Sequence, residues 1–178
     1  MAEVETAVHR IFGDVVTILS TYKPPFVVGD FNGDQDEDLA VIVQPVAQKL
    51  SDVNSELANW TIQDAEKAFV APQGKRVITM PKAESVHVVK GEQVLAIIHG
   101  FGPNGWRNSD AKQAYLVKHA AAIFLGIASS EGEKSIQSMK IPMKTDIIME
   151  NRNNKRGFVF WTGSYYAWHP SSGRDRTS

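Results

Sequence analysis

Oxygen-bearing side chains alternate along one short stretch of this chain, at Asp30, Asn32, Asp34, Asp36 and Asp38. The stretch from residue 30 to residue 38 also contains Glu37 and has no lysine or arginine, and we call it the acidic loop. Carboxylates at this density repel one another unless a cation lies among them. A flexible set of oxygen ligands favours Ca²⁺ over Mg²⁺, which requires near-octahedral geometry. We therefore predict a Ca²⁺ site at the five alternating residues.

The acidic loop lies between two apolar segments, residues 26–28 and residues 39–43, which are rich in β-branched side chains. This composition predicts two strands joined by the loop. An EF-hand loop has glycine at its sixth position and a bidentate glutamate at its twelfth. Gln35 and Val41 occupy those positions here, so the loop is not an EF-hand. An alternative interpretation is an acidic turn whose Asp and Asn side chains only cap backbone groups.

Residues 26–43 resemble a single FG-GAP (VCBS-type) repeat, a family with a pattern close to D-F-N-G-D-G-x-x-D-L-A-V. The resemblance implies a Ca²⁺ site in a loop between two strands. It implies side-chain ligands at Asp30, Asn32, Asp34 and Asp38, and a position at Asp36 that offers a backbone carbonyl. Gln35 replaces the glycine of the pattern, which at a positive φ costs roughly 1 kcal/mol. The rest of the chain does not share this resemblance.

Length and composition limit the domain organisation and the classes of partner and metal site. A chain of 178 residues is long enough for one domain with a real core, which we place at residues 1–170, with a flexible polar tail at 171–178. The net charge of −1 does not favour nucleic acid as a partner. The absence of cysteine excludes disulfides and thiolate metal sites. No run of 18 apolar residues is present, so we expect no membrane span.

The first twenty residues do not form a signal peptide, because Glu3, Glu5, Arg10 and Asp14 interrupt any apolar segment. The protein is therefore either cytoplasmic, or a leader has been removed from it. FG-GAP-like proteins are often exported, and Ca²⁺ sites are easier to fill outside the cell. The resemblance thus implies an extracellular or periplasmic location.

Hydrophobic spacing predicts an amphipathic helix over residues 4–19 and a second helix near residues 46–60. Further strands are predicted at residues 77–80, 86–89 and 94–99, while residues 115–125 fit either a strand or a helix. Three strands at residues 146–150, 157–161 and 165–168 form an antiparallel meander, because turn residues separate them. One repeat cannot build a β-propeller. We predict a single compact α+β domain with a mainly antiparallel sheet and about two helices.

Residues 99–106 offer an alternative function. His99-Gly100-Phe101-Gly102 resembles the His-Gly-x-Gly stretch that shapes an oxyanion hole in α/β-hydrolases. That fold also needs a G-x-S-x-G pentapeptide to present its nucleophile, and the chain has none. A hydrolase-like enzyme that uses His99 to Trp106 is therefore the second interpretation.

Two other groups of residues have side chains suited to binding. The five histidines, His9, His87, His99, His119 and His169, lack the spacings of a zinc motif, so only convergence in space could make a zinc site. Aromatic residues of the C-terminal strands would bind a carbohydrate or protein partner if one face were exposed. They would only pack if both faces were covered.

The sequence most favours a non-catalytic Ca²⁺-binding domain with a binding or structural role and an unknown protein or carbohydrate partner. The alternatives are the hydrolase-like enzyme and a cytoplasmic interaction or inhibitor domain whose acidic loop meets a basic partner.

Overall fold

Ten strands and two α-helices make up the part of the chain that the computed structural model describes, which is residues 1–68, 85–132 and 144–171. The helices are α1 (Ala2–Phe12) and α2 (Leu50–Val53). Short 3-10 turns occur at Ala47–Lys49, Gly102–Arg107 and Ser130–Gly132. The strands are β1 (Val16–Ile18), β2 (Phe26–Gly29), β3 (Asp38–Pro45), β4 (Thr61–Asp64), β5 (Val94–Ile98), β6 (Ala114–Lys118), β7 (Ile123–Ser129), β8 (Asp146–Arg152), β9 (Lys155–Trp161) and β10 (Tyr166–Pro170).

The strands form two sheets. The first sheet has the order β1-β3-β5-β6-β4, with β2 also paired to β3, and the second has the order β10-β9-β8-β7. Every pairing is antiparallel except that of β4 with β6. Neither sheet closes into a barrel or a propeller blade. The predicted α+β class with mainly antiparallel sheets is confirmed.

The first sheet is the middle of three layers. Alternate residues of β3 point to opposite faces, so Leu39 and Val41 pack towards α1 while Ala40 and Ile42 pack towards the second sheet. A strand covered on both faces needs apolar residues at every position, and residues 39–43 are fully buried. The continuous apolar run after the acidic loop is therefore a consequence of its central place.

Both predicted helices are longer than those observed. The helix predicted over 4–19 ends at Phe12, because Gly13 turns the backbone at φ 59° and donates its N–H to His9, after which β1 begins. The helix predicted near 46–60 is wrong beyond the single turn of α2. Asn54 there bonds the Leu50 carbonyl, and Trp60 folds back so that its indole N–H reaches the Val53 carbonyl. Among the described residues, no helix is long and apolar enough to cross a membrane.

The predicted strands have mixed outcomes. The strand at 94–99 is confirmed as β5, but residues 86–89 form no strand, because the side chain of Asn54 bonds both the N–H and the carbonyl of Val88. The segment 115–125 contains two strands, β6 and β7, which belong to different sheets. The strand β4 was not predicted, and the one predicted at 77–80 lies outside the described residues.

The C-terminal meander is confirmed. A two-residue turn at Asn153 and Asn154, with φ of 51° and 62°, joins β8 to β9, as expected for asparagine in a type I′ turn. Phe158 and Phe160 lie on one face of β9 and Trp161 on the other, and all three side chains are buried. These aromatic residues therefore pack and do not form an open platform for a partner.

Glu150 of β8 is a carboxylate placed in the layer between the two sheets. It is fully buried, and neither of its oxygens has hydrogen-bond geometry with any residue of the described ranges. Burial raises the pKa of the Glu150 carboxyl to about 7, against the field of Arg152 and the nearby Trp168 indole. An ionised Glu150 is therefore costly to the folded state.

This cost predicts how stability depends on pH. The folded-state pKa of Glu150 lies above its ordinary value of 4.5, so its ionisation removes stability as pH rises from about 4.5 to about 7. A gap of about 2.5 between the two pKa values corresponds to at most ~3.4 kcal/mol. Relative to the wild type, Glu150→Gln should gain about 1–3 kcal/mol in unfolding free energy between pH 5 and pH 8. Urea denaturation at each pH measures this gain.

The matched control is Glu56→Gln, which changes an exposed carboxylate. Its difference from the wild type should stay within ~0.5 kcal/mol across the same pH range. A constant free-energy difference between wild type and Glu150→Gln from pH 5 to pH 8 would contradict the assigned burial cost.

Candidate metal centre

The acidic loop joins β2 to β3 as a hairpin, which confirms the predicted strand–loop–strand arrangement. The two strands pair antiparallel, and Gly29 opposite Asp38 is the pair nearest the loop. The turn passes through left-handed conformations at Gly33, with φ 83°, and at Gln35, with φ 72°. Gln35 thus adopts the conformation for which the repeat pattern has glycine.

The side chains predicted as ligands accept hydrogen bonds from the loop's own backbone. Asp30 accepts from the N–H groups of Gly33 at 2.7 Å and Gln35 at 3.0 Å. Asn32 accepts from Asp34, and Asp34 accepts from Asp36, at 3.0 and 2.9 Å. The capping that the alternative interpretation expects is therefore present. A carboxylate has about four lone-pair sites, so these bonds leave room for a cation.

Asp38 is the buried member of the set. One of its oxygens accepts from the backbone N–H groups of Phe31 at 2.7 Å and Asn32 at 3.2 Å. The other accepts from the backbone N–H of Gly100 at 2.7 Å. Its exposed fraction is 0%, and burial raises the pKa of its carboxyl to about 7.

A second segment, residues 99–107, holds the acidic loop in place, and we call it the glycine loop. The backbone N–H of Gly102 donates to Asp36 at 2.5 Å. Glu37 receives the indole N–H of Trp106 at 2.8 Å and the guanidinium of Arg107 at 2.5 Å, and its carbonyl accepts the backbone N–H of Trp106 at 2.7 Å. The two loops therefore form one hydrogen-bonded unit, although about 60 residues separate them along the chain.

Two glycines allow the backbones of these loops to approach. A Cβ on Gly105 would lie 2.5 Å from the carbonyl oxygen of Glu37, and one on Gly100 would also overlap that oxygen. Gly105 further has φ 53°, which a larger residue adopts only at a cost. Close packing against Glu37 thus explains why glycine occupies these two positions of the glycine loop.

This arrangement opposes the hydrolase interpretation. The N–H groups of Gly100 and Gly102 donate to Asp38 and Asp36, so carboxylates already occupy the place of an oxyanion. His99 is buried with its Nε2 2.6 Å from the hydroxyl of Tyr166, and burial lowers the pKa of its imidazole to about 4. His99 is a neutral core histidine within an aromatic cluster.

The second sheet contributes one further carboxylate, Asp146 at the start of β8. It accepts the backbone N–H of Asp30 at 3.0 Å, and its own N–H donates to the carbonyl of Asp30 at 2.7 Å. Asp146 was not among the predicted site residues. A separation of 116 residues along the chain leaves no local signal that could have identified it.

The acidic loop carries more negative charge than its neighbours balance. Within the described ranges, Arg107 pairs with Glu37, while Asp30, Asp34, Asp36 and Asp38 form no ion pair. Burial, and then the field of Asp38, raises the pKa of Tyr166 well above its ordinary value. This uncompensated charge is what a bound cation would neutralise.

The carboxylate oxygens of the acidic loop do not form a cluster in which all of them are close to one another. Asp64, Glu66 and His119 do form such a cluster. Among the described residues, theirs are the His, Asp and Glu ligand atoms that all lie within 4.8 Å of one another. Sequence spacing did not identify this second group, because His119 follows β6 whereas Asp64 and Glu66 lie at the end of β4. A cation at the acidic loop would have to draw the oxygens of the loop inward.

No protein-family model, no curated protein and no solved structure matches this chain. The similarity to FG-GAP repeats therefore depends on residues 26–43 alone.

The close approach of the two loops makes a testable prediction. Gly100→Ala should lower the unfolding free energy by about 1–3 kcal/mol, because the new Cβ overlaps the backbone of Glu37. The control Asn104→Ala alters an exposed residue of the glycine loop and should change stability by less than ~0.5 kcal/mol. Denaturant unfolding followed by tryptophan fluorescence measures both. Equal stability of Gly100→Ala and wild type would show that the loops do not pack as described.

Proposed function

We propose that this protein is a non-catalytic Ca²⁺-binding domain, with Asp30, Asn32, Asp34, Asp36 and Asp38 as the residues that hold the ion. The single observation that carries the proposal is a nine-residue turn with four carboxylates that lack a counter-charge in the described structure, one of them fully buried. Oxygen-only ligands in a flexible loop suit Ca²⁺.

The loop supplies the ligand types that such an ion takes, and binding would draw them inward. Asp30, Asn32, Asp34 and Asp38 supply side-chain oxygens, and Asp36 supplies its carbonyl, which leaves its carboxylate bonded to Gly102. The left-handed turn at Gln35 supports a loop of the kind that the repeat pattern describes. When bound, Ca²⁺ supplies positive charge to the loop and performs no chemistry.

The ion would act on structure through the glycine loop. Asp36 and Asp38 bond the backbone of Gly102 and Gly100, so an ion that orders the acidic loop also orders residues 99–107. Phe101 in that segment is 56% exposed. We propose a binding or structural role in which Ca²⁺ holds this surface in one conformation for a protein or carbohydrate partner, in an extracellular or periplasmic setting.

A cytoplasmic interaction domain is the second candidate, and the exposure of Asp34 supports it. In that case a basic partner, and not an ion, would neutralise the loop. The two proposals differ in what Ca²⁺ alone does to the isolated protein.

A thermal titration tests the Ca²⁺ proposal. At a hundredfold excess over Kd, an ion that binds only the folded loop adds ~2.7 kcal/mol of stability, which raises the melting temperature by roughly 5–10 °C. Mg²⁺ should raise it less, because the loop does not impose octahedral geometry. Asp34→Ala should weaken Ca²⁺ binding at least ~10-fold in calorimetry, since it removes one ligand.

The matched control is Asp52→Ala, an exposed aspartate outside the loop, which should bind Ca²⁺ as the wild type does. Sodium chloride at equal ionic strength separates specific binding from screening. If the salt raises the melting temperature as much as Ca²⁺, or if Asp34→Ala responds like the wild type, the loop is not a Ca²⁺ site.

A further inference from the structure

A second group of ligand-type side chains lies at the opposite end of the first sheet. Asp64 is the last residue of β4, and His119 directly follows β6. Because β4 and β6 are parallel and pair Asp64 with Lys118, their carboxyl ends meet at the same edge. Glu66 follows Asp64 by two residues and lies at this edge as well.

The three side chains are close enough to share one ion. The Nδ1 atom of His119 lies 2.7 Å from an oxygen of Asp64 and 3.8 Å from an oxygen of Glu66. Two ligands at ~2.1 Å from a tetrahedral Zn²⁺ are ~3.4 Å apart. One of the observed distances is shorter than this value and the other is longer. About half of the Glu66 and His119 side chains is exposed, which leaves access from solvent.

Arg152 orients this group from the second sheet. Its Nη2 atom bonds one oxygen of Glu66 at 2.6 Å, and its other terminal nitrogen donates to the carbonyl of His119. The second oxygen of Glu66 is the one that lies towards the imidazole. The guanidinium also stacks on Trp168 at 4.2 Å, which limits its movement. Hydrogen bonds of this kind commonly hold the ligating carboxylates of metal sites.

Arg152 also lies near a buried carboxylate of its own strand. Glu150 lies two residues before Arg152 on the same face of β8, fully buried, and without a hydrogen-bond partner among the described residues. It pairs across the sheet with Gly157, over which the indole of Trp168 lies. Arg152 is thus shared between the carboxylates of Glu66 and Glu150. Glu66 is the one of these two carboxylates that also faces the imidazole of His119.

We propose that Asp64, Glu66 and His119 bind a divalent transition-metal ion of the Zn²⁺ type, with Arg152 as a positioning residue. One imidazole and two carboxylates form a mixed nitrogen and oxygen set, which suits Zn²⁺ and its neighbours better than Ca²⁺. Three protein ligands leave a fourth position open to water. This site is separate from the Ca²⁺ proposal and uses none of its residues.

The test titrates Zn²⁺ into tag-free, chelator-treated full-length protein by calorimetry, with Co²⁺ absorption as a spectroscopic probe of the ligand set. Wild type should bind one Zn²⁺ at this site. His119→Asn keeps a side chain that tolerates the left-handed backbone at φ 57°, and Asp64→Asn keeps the shape of the ligand. Each should weaken Zn²⁺ binding at least ~10-fold and reduce the visible Co²⁺ bands, while circular dichroism shows that both variants stay folded without metal.

Two controls place the ion. His9→Gln removes an exposed histidine of α1, and Asp34→Ala alters the acidic loop. Both should bind Zn²⁺ as tightly as wild type, so the result is independent of the Ca²⁺ proposal. The inference is overturned if wild type shows no saturable Zn²⁺ binding, if His119→Asn binds equally well, or if either control loses the ion.

Discussion

The buried carboxylate of Asp38 is the contact on which the acidic loop, the glycine loop and the first sheet all depend. It begins β3, the strand that pairs with β1, β2 and β5, and it accepts N–H groups from Phe31, Asn32 and Gly100. A buried carboxylate is costly to the folded state unless its oxygens are bonded. The burial of Asp38 at the start of β3 is therefore stabilised by the backbone N–H groups that both loops present to this one side chain. The same burial makes an added positive charge at this place favourable.

Much of the fold could be predicted wherever neighbouring residues decide the structure. The meander follows from Asn153, Asn154 and an alternating pattern, because a two-residue turn sets the register of both strands. Spacing was misleading at residues 46–60, where Val53 is buried but Leu57, at the next helical interval, is 93% exposed. There the side chain of Asn54 bonds the backbone of Val88 in place of a neighbouring strand. This contact spans 34 residues, so local hydrophobic spacing cannot predict it.

The candidate sites also have parts that local sequence predicts and parts that depend on the topology. The acidic loop could be proposed as a site from the sequence because its candidate ligands lie within nine residues, and Gln35 has the positive φ expected from its position in the pattern. The hydrogen-bond partners of the loop could not be predicted, because Gly100 and Asp146 reach it only through the packing of the two sheets. The group formed by Asp64 and His119 spans 55 residues and exists because β4 and β6 run parallel. Only the topology brings these side chains together.

The two candidate sites lie at opposite ends of the strands of the first sheet. In the first sheet, β6 begins beside Ile98 near the glycine loop and ends at Lys118 beside Asp64, a distance of ~13 Å at 3.3 Å per residue. One edge offers only oxygen ligands from a flexible hairpin, and the other offers an imidazole on strand ends held by Arg152. Ligand type and rigidity, and not distance alone, would therefore assign a different ion to each edge.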